Sequence, residues 1–442
     1  MNTAPRVRSR RRWWLGLLVL LVVAGPVAVW TVPGWLCSRV ETALRRQDWL
    51  AVERDLAWAQ RLGAGQAEVL LATARVDRKL GRYPQMEAAL KAARVAGAPR
   101  EKLDIEQWLA EAESGNTKNL QRELSRLLLK GDDLPAICEA MALGCIATYR
   151  LDDALQMLTI WQADFADDPQ PHYLRGRLLE HRSNIEGAIE EFRKALTLAP
   201  RHGPAAYNLG RLLVSAQKID ESLAAYRQAE PLLFEPQPAL VGQARCLREL
   251  GRLDEARAMI DRALARPTGR LVEAYRLVGD PGDSALAQAL TEAGQIDLQS
   301  DRFEAAAKSF EAALKQHPYD WRTRYSYAAA LRQLGRGEEA ARESKQVEAT
   351  QAALTSCERM IDDLKSQPNN AEARYAVGKM LLEHVSPNQG LVWLNSVLAI
   401  DPTHQPTHAV LARYYTEHQA ENPTFAELAK FHARKSTPQE TK

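Results

Sequence analysis

Cysteine is scarce in this sequence: Cys37, Cys138, Cys145, Cys246 and Cys357 are the five among 442 residues. No two form a Cys-x-x-Cys pair, so the spacing of a structural zinc site is missing. Cys138 and Cys145, seven apart on one expected helix, lie roughly 10 Å apart along its axis, too far for a disulfide. All five are read as small buried apolar side chains. A surplus of charge is missing too. Residues 1–12 hold Arg6, Arg8, Arg10, Arg11 and Arg12 and no acid; taking these five from the 58 basic residues leaves 53 against 56 acidic ones. A body this near neutrality, with no dense Lys/Arg run on any helix, lacks the electrostatic footprint of nucleic-acid binding. Also absent are a Gly-rich phosphate loop, a Gly-x-Ser-x-Gly elbow and a His-Glu-x-x-His helix. The acid pairs Asp132/Asp133, Asp152/Asp153, Asp167/Asp168 and Asp362/Asp363 are adjacent residues, about 100° apart on a helix, and suit solvated caps better than paired catalysts. Neither catalytic residues, cofactor nor small-molecule substrate is expected.

Long apolar runs are lacking as well, with one exception: Trp13 to Leu36, "WWLGLLVLLVVAGPVAVWTVPGWL", is 24 residues without a charge. About 20 apolar residues cross the hydrocarbon of a bilayer, and Trp13, Trp14, Trp30 and Trp35 stand near the ends, where indoles prefer the headgroups. The run predicts a transmembrane signal-anchor helix over 13–36, ended by Pro33-Gly34. A cleaved signal peptide is the rival, but the run exceeds the usual 7–15 residues and its best small-residue site is followed by Gly25-Pro26. The five arginines ahead of the span outnumber Arg39, Arg45 and Arg46 just beyond it. The positive-inside rule therefore keeps a cytoplasmic tail over 1–12 and exports the body of an inner-membrane protein.

What the sequence has in abundance is self-similarity. Residues 185–200 read "IEGAIEEFRKALTLAP", and 34 residues on stands "IDESLAAYRQAEPLLF". With Gly176 taken as position 8 of a 34-residue unit, seven units align without a gap. Position 8 reads Val40, Ala74, Trp108, Ala142, Gly176, Gly210 and Ala244, and position 24 reads Leu56, Leu90, Leu124, Leu158, Phe192, Tyr226 and Ile260. A small residue recurs where two helices must approach, and a large one where a knob must fill the space between them. Mid-unit turns such as "LGRYPQ" and "LGRLDE" end a first helix with a left-handed residue and open a second. The unit is a helical hairpin, and a lone hairpin cannot bury its apolar face, whereas stacked copies can.

This resembles the tetratricopeptide repeat, whose small residues at 8 and 20, aromatic at 24, alanine at 27 and proline at 32 are matched by Gly176, Ala188, Phe192, Ala195 and Pro200. Unit 8 repeats the pattern with Gly294, Ala306, Phe310, Ala313 and Pro318. The fold implied is all-α, a right-handed solenoid of hairpins behind a single transmembrane helix. Its parts are an array over 37–268, an insertion over 269–285 holding a short helix and a turn, a second array over 286–434 and a polar tail over 435–442. Trp108 at a small position predicts a splayed third hairpin. In unit 9 the second helix is expected to run on over about 338–365, where Val347, Thr350, Leu354, Cys357, Ile361 and Leu364 form a 3-4-3-4-3 seam that packs on the neighbouring repeat, with dimerisation as the rival reading.

In the resembled family, ligands lie along the concave wall of first helices. Carried over, positions 5 and 9 place Tyr173, Arg177, Tyr207, Arg211, Arg245, Tyr325, Tyr375, Lys379 and Arg413 there as partner-binding residues. Tyrosine supplies a flat contact with a polar tip and arginine a fork for carboxylates, which suits an acidic peptide or protein partner. The competing role for the arginines is an ion pair with an acid of the next helix, such as Glu180 or Glu249. His404, His408, His418 and His432 cluster late in the chain; Pro406 marks a helix start that puts His404 before it, so no metal is expected. The function implied is that of a non-enzymatic, membrane-anchored scaffold in a bacterial envelope assembly. A regulatory or assembly subunit of a membrane enzyme is the second reading.

Overall fold

The structure is a computed structural model that describes residues 31–63, 65–130, 134–147, 150–280, 285–367, 369–420 and 424–436. Residues 1–12 and the expected span through residue 30 lie outside the described residues, as does most of the polar tail. Among the described residues there is no strand, and no helix is long and apolar enough to cross a membrane.

Helices follow one another as hairpins. The first pair is α1 over 31–45 and α2 (Trp49–Gly63). Then come α3 (Ala67–Lys79) with α4 (Tyr83–Val95), α5 (Arg100–Glu113) with α6 (Lys118–Lys130), α7 (Leu134–Ala147) with α8 (Leu151–Asp164), and α9 (Gln170–His181) with α10 (Ile185–Leu198). The run continues through α11 (Gly203–Ser215) with α12 (Ile219–Ala229) and α13 (Gln237–Glu249) with α14 (Leu253–Leu264), and it closes on the short α15 (Leu271–Leu277). These fifteen helices belong to a first compact unit, Met1–Ala285.

Packing inside each hairpin follows the 34-residue pattern. A Cβ built on Gly176 would meet the Phe192 ring at 2.7 Å, and one on Gly210 the Tyr226 ring at 3.1 Å. The small position is thus the floor on which the position-24 knob rests. Phe192 is completely buried, with Ala188, Ala195, Leu158, Leu174 and Leu178 around it in a core shared by α7 to α12. The turns follow the expected chemistry in part. Gly81 and Gly251 carry φ of +69° and +73°, the left-handed backbone that glycine adopts at least cost. The residues that open the following helices are Arg82 and Arg252, which make no side-chain cap.

Two features depart from the plain repeat. Pro33-Gly34 does not end a helix, because residues 31–45 form one helical run; Leu36 and Cys37 on it are already buried with Val40, Trp49 and Val52. The array therefore begins inside the segment assigned to the span, since a core of Trp49, Val52 and Leu56 needs apolar partners from α1. In the third hairpin, half-buried Trp108 sits at the edge of a cluster in which Leu109 and Ala112 of α5 meet Ile137, Ala140 and Met141 of α7. There α5 packs more on α7 than on its own partner α6.

The second compact unit, Leu286–Lys442, holds nearly all of α16 (Ala285–Gln299) and α17 (Phe303–Gln316), then α18 (Trp321–Gln333) with the 30-residue α19 (Gly337–Ser366). It ends with α20 (Ala371–His384) and α21 (Pro387–Ile400), then α22 (Gln405–Glu417) and α23 (Phe425–Ser436). Phe310 is fully buried against the space of Gly294, and Leu394 rests on Gly378. Cys357, Ile361 and Leu364 of the α19 seam pack with Val377 and Leu381 of α20.

Candidate inner-wall site

In the first unit the first helices of successive hairpins make the inner wall, and a chain of polar contacts runs along it. Arg78, 2% exposed at the end of α3, holds Glu113 and, at 3.1 Å, the buried Glu106, both on α5. Arg75 adds a 2.6 Å bond to Glu106. Burial by itself would raise the Glu106 carboxyl, but the flanking guanidiniums of Arg78 and Arg75 hold it below the usual carboxylate range. Lys79 reaches Glu139 of α7 at 2.6 Å; Gln170 of α9 donates to the same carboxylate at 3.0 Å, and its own amide oxygen meets Nε2 of His202 at 3.0 Å. Since His202 Nδ1 accepts from the Ala205 N–H at 3.1 Å, the imidazole is neutral with its proton on Nε2.

Burial pushes His202 down to about 4 from 6.5. Unfolded chains will therefore take up a proton, as the pH falls below 6.5, that the folded state refuses, so stability drops over that window. Chemical denaturation at stepped pH is expected to show this slope for the first unit and a shallower one for His202→Asn.

Opposite the inner wall lies the chain's own insertion. Thr268–Arg270 form a 3-10 turn, α15 follows, and Gly279 turns the chain at φ +90°. Ala274 of α15, with Leu277 beside it, packs into the core of α1, α2 and α3, so the segment after the seventh hairpin reaches the first two. Polar contacts fix it there. Glu273 accepts from Nε and Nη2 of Arg82, at 2.5 and 2.6 Å, Arg276 donates to the Leu80 carbonyl at 3.2 Å, and Arg270 pairs with Glu53. Gly81 is the residue that admits this, since a Cβ there would fall 1.6 Å from the Arg276 guanidinium.

Farther along, Asn208 of α11 donates to the Val278 carbonyl at 2.8 Å, and Arg177 of α9 donates to the Gly279 carbonyl at 3.1 Å. Between this segment and the wall is a chamber of about 350 Å³, into which Lys79, Glu113, Glu139, Gln170, Tyr173 and Arg276 project. Asn208→Ala removes the bond to Val278, worth about 1 kcal/mol as a neutral hydrogen bond, together with those to the Pro204 carbonyl and from Arg211; it is expected to quicken amide exchange over 271–280 while leaving α16 to α18 unchanged.

The nine expected contact residues divide accordingly. Tyr173 and Tyr207 line cavities on the wall but are almost wholly buried: Tyr173 tilts on Phe192 and His202, and Tyr207 meets Tyr226 edge-on at 5.6 Å. Arg177 is spent on the Gly279 carbonyl, a role not expected for it; Arg211 is spent on Asn208 and on Glu180, the ion pair named as the competing role. Arg245 is exposed. In the second unit Tyr325 is 58% exposed, Lys379 is exposed, and Arg413 pairs with Glu383 at 3.0 Å. Tyr375 lies half-buried, 5.2 Å from the His404 ring. Within the second unit the long α19 stands between Tyr325 on α18 and Tyr375 and Lys379 on α20, both helices packing on it.

The late histidines serve local structure. His404 caps α22, His418 stacks on Tyr414, and His408 faces His432 with 2.8 Å between their Nδ1 atoms. Arg78, Glu106, Glu139, Gln170 and His202 escaped the sequence reading. Each is one polar residue on a periodic helix, and only their recurrence about 31 residues apart across neighbouring units hints that they meet.

The family profile described as the tetratricopeptide repeat matches residues 148–203, 173–238, 207–270 and 291–353. No curated protein matches the chain. Among solved structures, PilW, a type IV pilus biogenesis factor, is 17% identical with a TM-score of 0.42, over 49% of this chain and 94% of that one. A thermophilic tetratricopeptide repeat protein of Thermus thermophilus is 19% identical with a TM-score of 0.33, over 44% and 97%. One from Parabacteroides merdae is 13% identical with a TM-score of 0.36, over 67% and 97%. At these scores the likeness says nothing of partner or process. The periodic pattern and the matched profile agree on the same units: residues 148–270 and 291–353 match the tetratricopeptide repeat.

Proposed function

We propose that the protein is a non-enzymatic interaction scaffold anchored in a bacterial inner membrane by residues 13–30, with its amino terminus cytoplasmic and its repeats on the far side. Its inner wall recruits a protein or acidic-peptide partner of an envelope assembly. What carries the reading is the hold of Asn208 and Arg177 on the Val278 and Gly279 carbonyls. Two neighbouring first helices thereby hold two consecutive main-chain carbonyls of a turn, with basic side chains beside them, and carbonyl recognition of that kind is what an incoming peptide needs. The chain's own 278–280 segment fills the place, so a partner enters by displacing it. Arg245, Tyr325 and Lys379 remain open for further contact.

The test is in-cell photocrosslinking and affinity purification of the full-length chain. A variant with Val278–Asp280 replaced by Gly-Ser-Gly should capture more partner, and Arg177→Ala with Asn208→Ala in that background should capture none while keeping its helical circular dichroism. Undiminished capture by the last variant would remove the inner wall as the site. A stable stoichiometric complex carrying enzyme activity would favour the subunit reading instead.

A further inference from the structure

We infer that the outer face of α1 and α2 seats the repeat body on anionic lipid headgroups, an inference that rests on the membrane-anchor reading above. Four large apolar side chains stand exposed on these two helices: Trp35 and Leu50 at 57%, Trp58 at 49% and Leu62 at 41%. At 100° per residue, Leu50, Arg61, Arg54, Trp58 and Leu62 fall within an arc of about 120° on α2, and no acid falls within it. The opposite face of the same helix carries Trp49, Val52, Leu56 and Ala59 into the core, so the outward set is a second apolar stripe on a helix that already has one.

The exposed indoles are not isolated. The Arg39 guanidinium lies over the Trp35 ring at 4.8 Å, and that of Arg61 over Trp58 at 5.2 Å. Arg39 from α1 and Arg54 from α2 both bond the buried Asp55 at 2.8 Å, which joins the two helices' outer sides into one patch. Of the neighbouring acids, Glu41 is held by Arg75 and Glu53 by Arg270, while the exposed Glu68 of α3 lies against Gly34 at the patch's edge. What faces outward is tryptophan, leucine and arginine.

Indoles and leucines with arginine heads are the mixture that settles at the headgroup level, the apolar parts reaching the acyl boundary and the guanidiniums meeting lipid phosphates. Position argues for lipid over a protein occupant. The uncharged run reaches residue 36, yet Leu36 is already buried in the array core. No linker separates a span from this patch, so a bilayer crossed by residues 13–30 lies beside it. The repeat body would then be held at a fixed attitude on the membrane instead of swinging from a tether.

The experiment uses the full-length chain in phosphatidylcholine–phosphatidylglycerol vesicles, with nitroxide labels at Trp58→Cys, Leu62→Cys, Val95→Cys and Leu20→Cys. Val95, on α4, is the exposed control, and the wild-type chain treated alike sets the background from its own cysteines. Variants are used if they keep the wild-type helical signal. Expected is a reversal of collision accessibility: labels at 58 and 62 meet oxygen more than a water-soluble nickel chelate, as the label at 20 does, while the label at 95 meets nickel more. Labels at 58 and 62 that behave like 95, with 20 still in hydrocarbon, overturn the patch and leave the anchor. A water-accessible label at 20 overturns both.

Discussion

Arg78→Met is expected to destabilise the first unit by about 3 kcal/mol, the lower end of what breaking a buried ion pair costs. The guanidinium is fully buried and is shared between Glu106 and Glu113. Methionine fills most of the volume but strands two carboxylates, one of them as buried as the arginine. The loss stays at the lower end because Arg75 still bonds Glu106 and Lys79 stands 3.6 Å from Glu113. pH separates this account from simple loss of packing. Glu106 has its carboxyl depressed in the folded protein, so its contribution is present above the unfolded value of about 4.5 and is lost as the pH falls through the lower folded value. In Arg78→Met, protonation instead removes the stranded charge. The gap between variant and wild type should therefore narrow as the pH approaches the carboxylate range, read by chemical denaturation at stepped pH. A gap independent of pH would reduce Arg78 to a space-filler.

Phe192→Ala and Phe310→Ala should each cost about 3–5 kcal/mol, the range for deleting a buried aromatic ring and leaving a cavity. Both rings are 0% exposed and both rest on a glycine of the preceding helix, Gly176 and Gly294, which offers no side chain to relax into the hole. Because each hairpin leans mainly on its neighbours, the damage should stay in its own compact unit. Hydrogen exchange should quicken over α9 and α10 in Phe192→Ala with α16 and α17 unaffected, and the converse should hold for Phe310→Ala. Uniform quickening of both units by either substitution would mean that the chain unfolds as one block.

How much of this was legible in the sequence varied with the kind of interaction. The knobs at position 24 and the small floors at position 8 could be read because each is set by spacing within one hairpin, and spacing is written in the chain. The expected wall residues were read by the same period, yet the period does not say which way a side chain turns. Tyr173 and Tyr207 meet the wall's position rule but are almost wholly buried, since a buried ring removes more apolar surface from water than an exposed one. Arg177 and Arg211 likewise sit where the rule puts them and are taken by a carbonyl and a carboxylate from elsewhere. The bond of Asn208 to Val278 spans 70 residues, far beyond the reach of the period.

By itself the sequence determined the hairpins, their order, the interruption after the seventh and the unusual length of α19, because helical periodicity, turn residues and small-large complementarity act over a few residues to one repeat. Only the tertiary structure decided that the interrupting segment folds back across the inner wall. Nothing local in "LVEAYRLVGD" specifies that course. It follows from where the stacked hairpins bring Arg82, Leu80 and Gly81 relative to Glu273 and Arg276, contacts separated by more than 190 residues, and such a meeting is fixed by the summed geometry of every repeat between.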